Sequence, residues 1–226
     1  MEQAPTHAPG SRRTLQVRWL GRVPYAEALA LQERLVAERR QGLIPDTLLL
    51  LEHPSVITLG TASSAEHVLV DERERAERSI QLFETGRGGD VTYHGPGQLV
   101  GYPILDLSPD RRDLHRYLRD LEEVLIRAVA TWGVEAFRTQ GLTGVWTAGG
   151  KVAAIGVRVS SGWITSHGFA LNVSTDLSFF RTIVPCGISD REVTSVTRET
   201  GIELSLDEAG SAVARVFADV FDADLL

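Results

Sequence analysis

The sequence is poor in cysteine and lysine, with one of each in 226 residues. A single cysteine, Cys186, excludes an intramolecular disulfide scaffold and any zinc site that needs several cysteines. Among the 23 lysine and arginine residues, only Lys151 is a lysine. Arginine keeps its proton in proteins, whereas lysine can release it and take it back. Lys151 and Cys186 are therefore the first candidates for chemistry, although an arginine-biased composition or simple packing could also account for them.

Long apolar runs and dense basic runs are missing as well. The longest aliphatic run, Leu48 to Leu51, is at most a buried strand, and the polar segment 1–13 lacks the apolar core of a signal peptide. The net charge of −7, with arginines spread along the chain, argues against general nucleic-acid binding. We therefore predict a cytoplasmic protein with neither a membrane nor a nucleic acid as partner.

Hydrophobic periodicity predicts an α/β (α+β) protein, a mixed β-sheet flanked by helices. Ser108 and Pro109 provide an N-cap and a first-turn proline for a helix that reaches about Thr131, and Ser205 with Glu208 forms a capping box that opens a final helix. An earlier helix is predicted between Pro24 and Arg40, and strands are predicted at 15–19, 47–51, 56–59, 99–107, 151–159 and 163–171. We expect a disordered tail over 1–13 and one catalytic domain over 14–226.

The most unusual local sequence, Arg87 to Gln98, is rich in glycine. Glycine tolerates positive φ and lets the backbone approach a ligand closely, so backbone N–H groups there could line a pocket. The loop has neither the dinucleotide-binding nor the P-loop glycine pattern. The alternative is a glycine-rich hairpin in which His94 makes an ordinary structural hydrogen bond.

Several spaced segments, taken together, resemble the lipoyl(octanoyl) transferases. They are 52–54 with 58–60, 87–98, 149–156, 167–172 and 185–187, and they follow the family's order from about Leu15 to Thr197. The resemblance implies a fold shared with the biotin and lipoate protein ligases. It also implies transfer of an octanoyl group from acyl carrier protein to a lysine of lipoyl domains of 2-oxo acid dehydrogenases or of the glycine cleavage H protein. No ATP, metal or other cofactor is implied.

The resemblance assigns roles to individual residues. It makes Cys186 the nucleophile and Lys151 the general acid and base. The implied pocket positions are Arg87, Gly88, Gly89, Tyr93, His94, Gly97, Gln98, Tyr102, His167 and Asn172. We add four residues of the same segments, Ala153, Ile155, Gly156 and Gly168, as candidates for the apolar acyl pocket, although they could equally be ordinary sheet packing.

The residue types suit this chemistry. A thiolate exchanges with a thioester at little thermodynamic cost, and a nearby ammonium such as Lys151 favours the thiolate over the thiol. After it protonates the departing thiol, neutral Lys151 could deprotonate the acceptor amine, provided that burial lowers its pKa from about 10.4. His94 or His167 could orient Lys151 or relay a proton. The oxyanion donors could be backbone N–H groups near Gly187 or on the 87–98 loop.

Three alternatives remain open. An ATP-dependent lipoate or biotin ligase would use Lys151 to hold a phosphate, a non-catalytic module would only bind carrier or lipoyl domains, and an octanoyl amidotransferase would differ in its donor. A stripe formed by Arg112, Arg116 and Arg119 could steer an acidic carrier protein. The stripe could also be a solvated face, because Arg116 with Asp120 has the spacing of a helical ion pair.

Overall fold

The computed structural model of this chain describes residues 12–184 and 192–226. Cys186 and Gly187 lie outside the described residues, as does most of the tail expected over 1–13. Arg13, which the sequence analysis assigns to that tail, is instead the first residue of a strand. Its guanidinium is buried and pairs with Asp46 at 2.6 Å, which holds the first residue of the strand against the core.

Strands and helices alternate irregularly along the described residues. In chain order they are β1 (Arg13–Arg22), α1 (Tyr25–Arg40), β2 (Asp46–Glu52), β3 (Val56–Leu59), α2 (Glu72–Glu77), β4 (Gln81–Glu84), β5 (Thr92–His94), β6 (Gln98–Ile104), α3 (Leu114–Ala130), β7 (Val145–Thr147), β8 (Gly150–Val159), β9 (Thr165–Asn172), α4 (Val196–Thr200), α5 (Leu206–Val220) and β10 (Ala223–Leu225). Two 3-10 turns, Ala65–His67 and Leu177–Thr182, complete them.

The strands of the described chain form two sheets. Seven build a main sheet in the order β10-β1-β2-β6-β9-β8-β7, and three build a small sheet in the order β4-β3-β5. β1 runs parallel to β2 and β10, whereas β6, β9, β8 and β7 pair antiparallel with their neighbours. The main sheet is therefore mixed, as the sequence predicts. Segment 87–98 is not a hairpin, because β5 pairs with β3 while β6 belongs to the main sheet.

Helices cover both faces of the main sheet. α3 and α5 pack on one face, where Leu121, Leu125 and Phe217 belong to the larger buried cluster. α1 packs on the other face against a smaller cluster that includes Leu49 and Tyr102. Since both faces are covered, the inner strands β2 and β6 are buried at every position. This arrangement confirms the predicted mixed sheet with flanking helices.

The predicted start of the middle helix at Ser108 and Pro109 is wrong. α3 begins at Leu114, and Asp113 is its N-cap, with a side chain that accepts a hydrogen bond from the Arg116 N–H. The segment before it is held out of the helix by Arg111, whose buried guanidinium pairs with Asp120 at 2.6 Å. The capping box at Ser205 and Glu208 is confirmed.

No helix within 12–184 or 192–226 has both the length and the hydropathy required to span a bilayer.

Candidate active site

A narrow cavity of about 80 Å³, called the first cavity, lies between the main sheet and the small sheet. Nine of the predicted site residues line it: Arg87, Gly89, His94, Tyr102, Lys151, Ile155, Gly156, His167 and Gly168. They come from the glycine-rich loop and from β5, β6, β8 and β9, which are far apart in sequence. The sheet topology therefore brings most of the predicted motifs together.

A β-bulge aims Lys151 into this cavity. Val145 pairs with Ala153 and Trp146 pairs with Lys151, so Val152 is an extra residue in β8. In a regular strand, residues 151 and 154 would point to opposite faces of the sheet, but a bulge shifts that alternation. Lys151 and Ala154 consequently line the same cavity. The Lys151 ammonium lies 5.2 Å from the centroid of the Trp146 ring, within the range of a cation–π contact.

The backbone of Lys151 is fixed by the segment that begins at Glu192. The Lys151 N–H donates to the Glu192 carbonyl at 2.9 Å, and the Thr194 N–H donates to the Lys151 carbonyl at 3.0 Å. This approach needs a glycine at 150, where φ is +132°. A Cβ there would lie 2.5 Å from the Glu192 carbonyl oxygen.

Gly144 is a second position at which the absence of a side chain leaves room for Lys151. Its φ is +120°, and a Cβ would lie 2.6 Å from Cε of Lys151 and 2.6 Å from the Ala153 carbonyl oxygen. The Gly144 N–H donates to Oε1 of Glu122 at 3.1 Å. Glu122 on α3 is fully buried and pairs with Arg119 at 2.8 Å and Arg138 at 3.2 Å. A buried carboxylate thus holds the backbone that packs against the Lys151 side chain.

Arg87 anchors the glycine-rich loop. Its buried guanidinium donates to the carbonyl of Thr58 at 2.7 Å and to the Thr58 hydroxyl at 2.9 Å, and it also donates to the Gly88 carbonyl at 3.1 Å. The Gly88 N–H donates to the Val157 carbonyl at 2.9 Å. This bond joins the loop to the second half of β8, which does not pair with β7. Because this N–H is used, Gly88 is not an oxyanion donor.

Two histidines, His94 and His167, line the first cavity, and a third, His53, packs beside His94 with ring centroids 5.8 Å apart. Burial lowers the pKa of each. The pKa falls from 6.5 to about 4 for His53 and His167 and to about 3 for His94. At neutral pH the three rings are therefore neutral. His53 donates to the Val23 carbonyl at 2.7 Å and accepts from the Tyr102 hydroxyl at 2.8 Å. The rings of Tyr102 and His167 meet edge to face, with centroids 6.3 Å apart.

A chain of hydrogen bonds connects His94 to the segment beside Lys151. His94 Nδ1 donates to the side-chain oxygen Oε1 of Gln98 at 2.7 Å, and the Gln98 side-chain amide donates to Oδ1 of Asn172 at 2.9 Å. The Asn172 amide then donates to the Thr194 carbonyl at 3.0 Å. All four residues are buried. The two ends of the cavity are thereby held in one fixed arrangement.

Besides Gly88, whose N–H bonds to the Val157 carbonyl, five predicted pocket residues do not line the first cavity. They are Tyr93, Gly97, Gln98, Ala153 and Asn172. Tyr93 packs in the small-sheet cluster and its hydroxyl contacts Ser55 at 3.0 Å, while Gly97, with φ of +80°, donates to Glu52 at 3.1 Å. Contact of these five residues with substrate stays a prediction, and in the structure they support the wall of the cavity. The sequence analysis could not separate these roles, because motif membership does not give side-chain direction.

The cavity also has lining residues that the sequence analysis did not select. They are Tyr25, Val91, Thr92, Asp90, Ala154, Phe169, Ala170, Phe180 and Val193. Asp90 lies inside the glycine-rich motif and could have been chosen as an ionisable residue there. Tyr25 opens α1 and carries no local signal, since only the packing of α1 on the main sheet brings it to the site.

The predicted nucleophile Cys186 lies outside the described residues; one described flank of its segment lines this site, and the other contacts His67, whose ring pairs with the lining residue Asp90 at 2.7 Å. On one side, the Val184 N–H donates to the His67 carbonyl at 2.8 Å. On the other side, Val193 lines the first cavity next to Lys151. The described residues thus offer an ionisable lysine at the entrance of a narrow apolar cavity with a wall of neutral polar rings.

Comparison with known proteins identifies the family of this chain. A family model of the lipoyl protein ligase A/B catalytic domain matches residues 24–218. An octanoyltransferase of Solibacter usitatus (strain Ellin6076) is 53% identical over 214 residues, which cover 95% of this chain and 96% of that protein.

Two solved structures share the fold. Lipoate-protein ligase A bound with ATP superposes with a TM-score of 0.76 at 19% identity, covering 96% of this chain and 88% of that one. The biotin protein ligase of Aquifex aeolicus, in complex with biotin and ATP, gives 0.54 at 16% identity, covering 91% and 70%. The predicted biotin/lipoate protein ligase-like fold is confirmed, and the chain belongs to the octanoyltransferases within the lipoyl protein ligase A/B catalytic domain family.

Proposed function

We propose that this protein transfers an octanoyl group from acyl carrier protein to a specific lysine of lipoyl domains or of the glycine cleavage H protein, through a thioester on Cys186. The proposal depends on the position of Lys151. A β-bulge places this residue in the lining of a narrow apolar cavity. The chain that holds it belongs to the octanoyltransferase family. No ATP or metal takes part, because a thioester is already activated for acyl transfer.

In the first half-reaction, the Cys186 thiolate attacks the carbonyl carbon of the carrier thioester. A new carbon–sulfur bond forms to Cys186, and the bond to the carrier thiol breaks. The Lys151 ammonium gives its proton to the departing thiolate and becomes neutral. The products are acyl-Cys186, a free carrier thiol and a neutral lysine.

In the second half-reaction, neutral Lys151 takes one proton from the ammonium of the acceptor lysine. The resulting amine attacks the acyl-Cys186 carbonyl, an amide bond forms, and the Cys186 thiolate leaves. The second proton of the amine is released to water. The enzyme returns to a thiolate and an ammonium, which arginine at 151 could not achieve because it does not release its proton.

The histidines have a different role from the one left open by the sequence. Since burial lowers the pKa values of His94 and His167 to about 3 and about 4, neither is an imidazolium at neutral pH. They cannot supply a proton to the leaving thiol under these conditions. Their neutral rings, with Tyr102, form the wall that limits the depth of the acyl cavity, and the proton transfers fall to Lys151.

Carrier docking would use the surface at the start of α3. Arg116 lies 4.0 Å from Asp120 and Arg119 lies 2.8 Å from Glu122, so these two arginines already have acidic neighbours. Arg112 is exposed and forms no ion pair within the described residues. Of the three arginines in the predicted stripe, Arg112 is therefore the best placed to meet an acidic carrier protein.

Intact-protein mass spectrometry tests the proposed function. The wild type, Cys186→Ser and Lys151→Arg are each mixed with octanoyl carrier protein without ATP, and a lipoyl domain is added afterwards. The wild type should gain one octanoyl group and pass it on. Cys186→Ser should gain none. Lys151→Arg keeps the positive charge, so any acyl group that it gains should stay on the protein.

Two results would contradict the proposal. Modification only after ATP and free octanoate are added would indicate a ligase, and Cys186 would then be a packing residue. Normal turnover by both variants would indicate that neither side chain takes part.

A further inference from the structure

A second cavity meets the first one at Lys151. It has a volume of about 510 Å³, against about 80 Å³ for the first. Six residues border both cavities: Gly89, Asp90, Lys151, Ile155, Gly156 and Val193. Lys151 is therefore at the junction of a narrow cavity and a wide one, and the proposed function uses only the narrow one.

The chemistry of a thioester requires two such spaces. The reacting carbonyl carbon carries the acyl chain on one side and the thiol arm on the other, so the two substituents leave Lys151 in different directions. The first cavity is narrow and walled by Tyr25 and Tyr102, which suits a single unbranched chain. Pantetheine is wider, with two amides and a geminal dimethyl group. It does not fit there, whereas cavities of about 300–1,000 Å³ commonly bind ligands of its size.

We propose that the second cavity binds the pantetheine arm of the acyl donor. The proposal rests on the proposed function, since it assumes that the donor is a carrier thioester. The lining has the mixed character of an arm in which apolar and amide groups alternate. Leu114, Leu118 and Trp146 are its apolar residues, and Thr143 and Asp90 are polar. Ligand sites of this mixed kind bind by apolar area and are oriented by a few polar groups.

The cavity also opens where the carrier protein is proposed to dock. Leu114, at the first turn of α3, lines the cavity and is 42% exposed. Arg112, two residues earlier, is exposed and free of ion pairs within the described part of the chain. A carrier bound at this end of α3 would present its arm at the cavity entrance, and the arm would lead to Lys151.

The test narrows the second cavity and compares two donors of different length. Octanoyl-pantetheine has the whole arm, whereas the octanoyl thioester of N-acetylcysteamine keeps only the sulfur and the first amide. The variants are Thr143→Trp, on the loop before β7, and Leu114→Trp, at the exposed end of α3. Gln140→Trp is the matched control, because Gln140 is exposed on the same loop and lines neither cavity.

The measured quantity is the rate of acyl-enzyme formation with each donor. In either cavity variant, the ratio of the pantetheine rate to the N-acetylcysteamine rate should fall about tenfold, equivalent to about 1.4 kcal/mol. The control should keep the wild-type ratio. Melting temperatures show whether each variant folds. If one cavity variant does not fold, the rate ratio of the other cavity variant tests the proposal.

An unchanged ratio in both folded cavity variants would overturn the assignment. So would a selective loss of transfer to the acceptor with normal acylation, since the cavity would then serve the acceptor lysine. Failure of the proposed function is distinguishable from both, because the wild type would then form no acyl-enzyme with either donor.

Discussion

The two ends of the first cavity are built in different ways. At the Lys151 end, glycines at 144 and 150 allow the backbone to come close, and the side chain is aimed by a bulge. At the other end, His94 and Tyr102 line the wall, His94 hydrogen-bonds to Gln98, and Tyr102 hydrogen-bonds to the buried His53. The lysine end leaves room around the group that gains and loses a proton in the proposed mechanism. At the histidine end, burial keeps His94 and His167 neutral at neutral pH.

The largest expected effect comes from adding a methyl group at the lysine end. In Gly144→Ala, the new Cβ would lie 2.6 Å from Cε of Lys151 and 2.6 Å from the Ala153 carbonyl oxygen, so both the lysine side chain and the strand that carries it must move. A displacement of about 1 Å at a reacting group can cost about a hundredfold in rate, and we expect turnover to fall by that order. Steady-state turnover of octanoyl carrier protein provides the measurement.

The control for this variant is Gly133→Ala. Gly133 also has positive φ, at +80°, but a Cβ there would meet nothing within 4 Å. Both substitutions strain the backbone, by about 1–2 kcal/mol. Equal losses of turnover in the two variants would contradict the idea that Gly144 acts through Lys151.

A smaller effect is expected when the support behind Gly144 is removed. Glu122→Ala leaves the Gly144 N–H without its acceptor and removes a buried partner of Arg119 and Arg138. Both arginines are partly exposed and can turn to water, so we expect a loss of about 2 kcal/mol in the free energy of unfolding. Urea denaturation measures it.

Glu123→Ala is the matched control for Glu122→Ala. Glu123 is the next residue and also pairs with Arg138, but it is partly exposed. Exposed pairs contribute about 0–1 kcal/mol, so this variant should remain close to the wild type. If both variants lost the same stability, burial of the Glu122 carboxylate would not be the reason for its importance.

The smallest expected effect is a change in how the free energy of unfolding depends on pH, and it arises at the histidine end. The folded pKa of His53 is about 4, below the usual 6.5, so between these values the unfolded chain binds the proton and the folded chain does not. Stability therefore falls as the pH drops from 6.5 towards 4, by about 1.4 kcal/mol per pH unit for one such histidine. His53→Gln should reduce the slope by about that amount.

Urea denaturation at several pH values between 7 and 5 tests this expectation. The comparison is between the slopes of the unfolding free energy, so a uniform loss of stability in His53→Gln does not affect it. An identical slope in the wild type and the variant would contradict a neutral buried His53.

The helices and strands were predictable where local chemistry determines them. The Ser205 and Glu208 capping box starts α5 as predicted, because both residues act within one helical turn. The start of α3 was not predictable from Ser108 and Pro109, since the decisive contact is the Arg111–Asp120 ion pair across the turn. The motif residues around Lys151 could be selected from the sequence, but their division into cavity lining and supporting wall could not.

The sequence by itself determined which groups are available for chemistry: one thiol, one ionisable ammonium, and glycine-rich segments in the order of a known family. Residue type and spacing are local properties, so they are read without coordinates. Only the tertiary structure decided that Lys151 points into the cavity, that Tyr25 closes it and that a second cavity meets it. These outcomes depend on one extra residue in β8, on the packing of α1 against the sheet and on the space left beside α3, which form only when distant segments meet.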